Sequence, residues 1–177
     1  MIRLFIALGL PDDIRDRLAG LAGGLPGARW VEPHNLHLTL RFIGETDEGR
    51  MADLDAELAE VRAPPFELTL DGAGQFGGGR KIHSLWIGAE RSEALNHLQA
   101  KIESAVVRAG FAPETRKFTP HVTLARLKDA SPERLMRYLA SNGLFRSRGF
   151  PVTGFALYES HLGRHGPDYA VIADYPL

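Results

Sequence analysis

His37-Leu38-Thr39-Leu40 returns 84 positions later as His121-Val122-Thr123-Leu124. With 7 histidines in 177 residues, a His-apolar-Thr-apolar match is expected by chance only about 0.05 times, so a pair of them needs a cause. Alternate residues of a strand point to opposite faces. Each tetrapeptide therefore reads as a β-strand that turns His and Thr to one side and its aliphatic residues to the other. Two similar strands in a pseudo-symmetric fold account for the aliphatic half of the pattern. They give no reason for His and Thr to recur on the open face, whereas two strands lining a shared cleft do.

The rest of the chain supplies the partners such strands need. Apolar residues at helical spacing mark four helices, over Ile14–Ala22, Met51–Val61, Leu95–Ala109 and Leu135–Ala140. Pro64-Pro65 ends the second, Gly110 closes the third, and Ser131 with Pro132 opens the fourth. Strand-like runs lie at Ile2–Leu8, Leu36–Ile43, Phe66–Leu70, Leu85–Ile87, Phe118–Leu127, Val152–Tyr158 and Ala170–Ile172. Several follow one another with no helix between, which favours antiparallel pairing and an α+β fold. The Gly-rich stretch Gly72–Gly79 reads as a hairpin loop. The length fits one domain over residues 1–177, or two small lobes sharing the chain. No apolar run approaches the ~20 residues of a membrane span, and Ile2–Leu8 is too short for a signal peptide. No membrane partner is expected. The lack of cysteine removes disulfides and thiolate chemistry and is compatible with a cytoplasmic location. Nothing demands an oligomer, so a monomer is expected.

Two histidines and two threonines fit displacement at phosphorus. An imidazole titrates near neutrality, so one can take a proton from the attacking oxygen while the other protonates the leaving oxygen. The Cα atoms of His and Thr are about 6.6–6.8 Å apart along each strand, so the Thr hydroxyls can hold nonbridging oxygens of the same group. No carboxylate cluster stands near either motif, and no metal or cofactor is expected. Other chemistries fit worse. The Gly-rich stretch lacks the Gly-Lys-Ser/Thr that opens a helix in a phosphate-binding loop, no serine sits in a Gly-x-Ser-x-Gly elbow, and Gly163 and Gly166 argue against a zinc-binding helix at His161 and His165.

These residues resemble the 2H phosphoesterase superfamily and, within it, the RNA 2',3'-cyclic phosphodiesterases, also called 2'-5' RNA ligase-like proteins. The likeness is carried by Arg3–Ala7, Trp30–Gly44, Phe118–Arg126, Tyr158–Leu162 and Gly166–Tyr169 around the two motifs. It implies a bilobal, pseudo-symmetric α+β fold of two antiparallel sheets flanked by helices, with the His-x-Thr strands facing each other across a central cleft. It implies metal-independent hydrolysis of an RNA terminal 2',3'-cyclic phosphate to a 2'-phosphate, with 2'-5' ligation as the reverse direction. His37 would be the proton donor and His121 the proton acceptor. Thr39 and Thr123 would bind the phosphate, and Arg126 would reach it as well.

Strand parity works against Arg126. It lies five residues past His121, so strict alternation turns it to the opposite face unless the strand bends or bulges. By the same rule Arg41, four past His37, falls on the motif face. The substrate would be an RNA end or a nucleotide bearing a 2',3'-cyclic phosphate. Trp30, Phe42, Phe76, Trp86 and Tyr158 are the aromatic pool for stacking bases, and Arg80, Lys81, Arg116 and Lys117 could form a basic rim. The net charge of -1 gives no global nucleic-acid signature and favours a short contact with an RNA end. Another small cyclic or linear nucleotide phosphodiester, or a nucleotide-binding module without turnover, are the alternatives.

Overall fold

The computed structural model describes residues 1–78 and 81–177; Gly79 and Arg80, at the end of the expected loop and basic rim, lie outside them. In chain order the elements are β1 (Ile2–Gly9), α1 (Asp12–Ala19), β2 (Ala28–Trp30), β3 (His37–Thr46), α2 (Glu48–Ala59), β4 (Phe66–Leu68), β5 (Leu70–Phe76), β6 (Ser84–Ala89), α3 (Glu93–Arg108), β7 (His121–Leu127), α4 (Pro132–Asn142), β8 (Phe150–Val152), β9 (Gly154–Gly163) and β10 (Gly166–Pro176). A short 3-10 turn, Pro33–Asn35, leads into β3.

The helices start where their caps dictate. The side chains of Asp47, Ser92 and Ser131 accept from the backbone N–H three residues on, opening α2, α3 and α4. α1 stops at Ala19, short of the expected Ala22, because Gly20 takes the cap and Gly23 and Gly24 adopt positive φ.

All strand pairs are antiparallel, in the order β10-β9-β1-β3-β7-β6-β5. β4 and β8 form a separate pair. The long sheet is two halves held by one rung, Leu38↔Val122, between β3 and β7. Beyond that rung the motif strands diverge, and β2 takes over the free edge of β7. The aliphatic faces of both motif strands, Leu38, Leu40, Val122 and Leu124, are buried in a cluster that α1, α2, α3 and α4 help to fill. The α+β fold and antiparallel pairing are thus as the sequence indicates.

Three local expectations need correction. The stretch Gly72–Phe76 is strand, part of β5, and the loop begins only at Gly77. A Cβ at Gly74 would fall inside the Trp86 indole, so that glycine seats a ring on the neighbouring strand. The run Phe66–Leu70 is two strands, because Thr69 separates a rung to β8 from a rung to β6. Arg41 is buried, away from the motif face. Its guanidinium meets Glu103 of α3 at 2.6 Å and the carbonyls of Phe42 and Ala112. Removing one partner of a buried ion pair leaves the other charge uncompensated. Arg41→Ala is therefore expected to lower the unfolding free energy by about 3 kcal/mol, measured by denaturant titration. A loss below about 1 kcal/mol, the range of exposed pairs, would show that the pair is not structurally important.

Candidate active site

The rung Leu38↔Val122 sets the geometry of the motifs. In an antiparallel ladder the chain leaves a rung in opposite directions, so His37 lies toward Thr123 and Thr39 toward His121. The four polar side chains stand on the face opposite the core, half-buried. Sequence identity between the motifs thus becomes a local two-fold arrangement.

Both imidazoles are held the same way. His37 Nδ1 is 2.6 Å from the Asn35 carbonyl, and His121 Nδ1 is 2.6 Å from the Thr119 carbonyl. A carbonyl only accepts, so each Nδ1 carries the hydrogen and each Nε2 is the basic nitrogen. His37 Nε2 accepts from the Thr39 hydroxyl at 3.0 Å. The carbonyl that holds His37 is itself anchored. The Asn35 side chain donates to the Pro167 carbonyl of β10 at 2.9 Å.

Aromatic rings wall the histidines on both sides. Phe5 stacks on His37 at 4.8 Å and on Tyr158 at 5.0 Å, and Tyr169 meets His37 edge-on at 5.2 Å. Across the site Phe76 meets His121 edge-on at 4.8 Å, with Trp86 at 5.8 Å. Phe76, Trp86 and Tyr158 of the expected pool are therefore beside the histidines. Phe42 is exposed, 6.3 Å from Phe5, while Trp30 packs on Tyr138 of α4 at 5.8 Å. Among the expected rim residues, Arg116 pairs with Glu114. Phe5, Tyr169 and Asn35 were not identified from the residue pattern. Phe5 sits in an apolar run that reads as core, and Tyr169 and Asn35 reach the site through strand order.

The burial that these rings impose keeps the imidazoles neutral. Desolvation is the largest cause in both; it overrides the Nδ1 hydrogen bonds, and Arg126 lowers both further. The His37 pKa falls to about 4, with His121 also contributing, and that of His121 falls below its ordinary value of 6.5.

Arg126 reaches this site because β7 bulges. Leu85 pairs with Ala125 and Trp86 with Thr123, which leaves Leu124 as an extra residue. Leu124 and Ala125 are both buried, parity flips, and Arg126 emerges on the side of His121 and Thr123. The same bulge occurs in β3. Ile6 pairs with Arg41 and Ala7 with Thr39, leaving Leu40 extra. There the flip sends Arg41 inward and puts Phe42 at the place that Arg126 takes in β7. Among the described residues no three His, Asp or Glu side chains converge where they could hold a metal ion.

Two sheet halves, each bringing a His-x-Thr strand to one cleft, define a pseudo-symmetric two-histidine α+β protein. The family model of the 2'-5' RNA ligase superfamily matches residues 10–164. Relatives named RNA 2',3'-cyclic phosphodiesterase include that of Methanothermobacter thermautotrophicus, 31% identical over 95% of each chain, and that of Aeropyrum pernix, 34% identical over 90% of each. The crystal structure of E. coli LigT complexed with 3'-AMP superposes with a TM-score of 0.80 and 32% identity, covering 99% of this chain and 98% of that one. The chain belongs to the 2'-5' RNA ligase superfamily, in its RNA 2',3'-cyclic phosphodiesterase family.

A cation beside an imidazole disfavours its protonation, so Arg126→Gln is expected to raise the pKa of both histidines. His37 should rise from about 4 yet stay below 6.5, because burial is the larger cause. Imidazole NMR titration reads this directly. Two unchanged values would place Arg126 outside the site.

Proposed function

We propose that this chain hydrolyses the terminal 2',3'-cyclic phosphate of RNA to a 2'-phosphate by metal-independent general acid–base catalysis at His37 and His121. The observation that carries the reading is the pair of imidazoles held through matching Nδ1–carbonyl bonds on adjacent strands, on the sheet face opposite the core. In-line displacement needs a base on the attacking side and an acid on the leaving side. His121 Nε2 takes a proton from water as its oxygen bonds to phosphorus. The bond from phosphorus to the 3' oxygen breaks, its electron pair stays on that oxygen, and His37 Nε2 supplies the proton. One water is consumed, and the product carries a 2'-phosphate and a free 3' hydroxyl. Thr39 and Thr123 donate to the nonbridging oxygens, and Arg126 offsets the charge gathering there. The likeness to E. coli LigT, crystallised with 3'-AMP, supports a cleft suited to a nucleotide end.

The donor role is demanding for His37, whose pKa is held at about 4. A bound phosphate supplies what the free site lacks. Its negative charge neutralises the Arg126 field and favours the imidazolium. In the free protein the productive form has His37 protonated and His121 neutral. Because kcat/KM reports the free protein, its pH profile is expected to be a bell centred on the acid side of 6.5, between the two depressed values. A maximum well above 6.5 would reject this depressed pair of imidazoles as the groups that limit turnover, whichever of the two donates.

Turnover of a short RNA ending in a 2',3'-cyclic phosphate, with EDTA present, tests the function itself. Wild type should release the 2'-phosphate, and His37→Ala and His121→Ala should each lose at least ~10²-fold, the scale of general acid–base catalysis. A folded wild type without turnover sinks the RNA-end reading.

A further inference from the structure

Arg29 and Arg126 face each other as one rung of the β2–β7 ladder. Directly opposed residues stand on the same face with Cβ atoms about 4.5–5.5 Å apart. The rungs on either side, Ala28↔Leu127 and Trp30↔Ala125, turn inward to the core and to Tyr138. Both arginines therefore stand on the cleft face, and both are exposed. Like charges placed directly opposite destabilise a ladder. Some arginines elsewhere are neutralised, while others, such as Arg50 and Arg62, bond backbone carbonyls. Arg41, Arg108, Arg146 and Arg148 all pair with carboxylates. Among the described residues neither Arg29 nor Arg126 has an acidic partner.

The two guanidiniums are not equivalent. Arg126 lowers the pKa of both histidines, whereas Arg29 acts on neither. Arg29 extends the other way, against the β9–β10 turn. A Cβ on Gly166 would lie 3.2 Å from its Nη2, and that glycine has a φ of +117°. Arg29 therefore bridges the gap between β7, in one half of the sheet, and the β9–β10 turn, in the other. A forked guanidinium is well matched to phosphate oxygens.

Resting on the RNA-end reading of the cleft, we infer that Arg29 is a second phosphate subsite, one position beyond Arg126. A terminal 2',3'-cyclic phosphate closes the 3' end of a chain, so the next phosphate can only be the phosphodiester on the 5' side of the terminal nucleotide. Arg29 binds that group. It lets the protein favour an RNA end over a free nucleoside 2',3'-cyclic phosphate, which stops short of the subsite.

The test measures binding, so it stands apart from turnover. A single-stranded RNA pentamer with a 3'-phosphate and no 5'-phosphate, and the corresponding nucleoside 3'-phosphate, are titrated into wild type, Arg29→Ala and Arg29→Lys. Arg29→Ala should weaken pentamer binding about 10-fold and nucleotide binding less than 2-fold. The slope of log affinity against log salt for the pentamer should become shallower by about 0.7, one phosphate contact on a single strand. Arg29→Lys keeps the charge and should keep the slope, while losing part of the affinity with the fork. An equal loss for both ligands, or an unchanged pentamer affinity, overturns the subsite. Turnover of the cyclic-phosphate RNA by the same wild-type preparation separately decides the RNA-end reading. If turnover is absent and the pentamer is bound no more tightly than the nucleotide, both readings fall.

Discussion

Everything at the site depends on one rung. Leu38 and Val122 are fully buried and join the halves of the sheet where the motif strands touch. Burial of the aliphatic face fixes which side of each strand meets the core, and a slip of one residue would exchange the faces. The rung therefore does two things at once. It glues two half-sheets through apolar contact, and it delivers two histidines and two threonines to the opposite face in two-fold order. Divergence of β3 and β7 beyond the rung then opens the cleft, because strands that stayed paired along their length would leave a flat surface.

The paired bulges add asymmetry to this symmetric plan. Leu40 and Leu124 are both extra residues, and each flips the parity of the strand residues after it. The backbone device is the same in each half, but the side chains that use it differ. On β7 the flip exposes a cation on the side of His121 and Thr123. On β3 it buries Arg41 against Glu103, tying the motif strand to α3, and exposes Phe42 instead. A two-fold backbone thereby carries a one-sided distribution of charge, in keeping with the distinct attacking and leaving sides of the proposed reaction.

Much of this was legible in the sequence. The repeat identified the motif strands, their exposed faces and the four polar residues between them. The helices were marked by apolar spacing and capping residues. Arg126 was named only through family likeness, since alternation placed it on the wrong face. Arg41 was misplaced for the same reason. A bulge adds one residue without altering hydrophobic pattern on either side, and only the adjacent buried pair Leu40-Arg41 or Leu124-Ala125 records it. Phe5 and Tyr169 escaped because their role depends on which strands lie side by side. Gly74 looked like loop because its cause, the Trp86 ring on β6, is distant in sequence.

The near-zero net charge, finally, conceals a local cation, Arg126, that acts on both histidines. Carboxylates neutralise Arg41, Arg108, Arg146 and Arg148, all of which tie elements together away from the cleft. Arg3, Arg29 and Arg126 have no such partner among the described residues, and others, Arg50 and Arg62 among them, bond backbone carbonyls instead. Arg126 acts on both histidines and, with Arg3, on Tyr169. A field of this kind attracts a phosphate and simultaneously discourages protonation of the two histidines proposed to act on it. The two effects are reconciled by the substrate. In the proposed reaction its charge offsets Arg126, so His37 gains proton affinity when a leaving 3' oxygen is there to receive the proton.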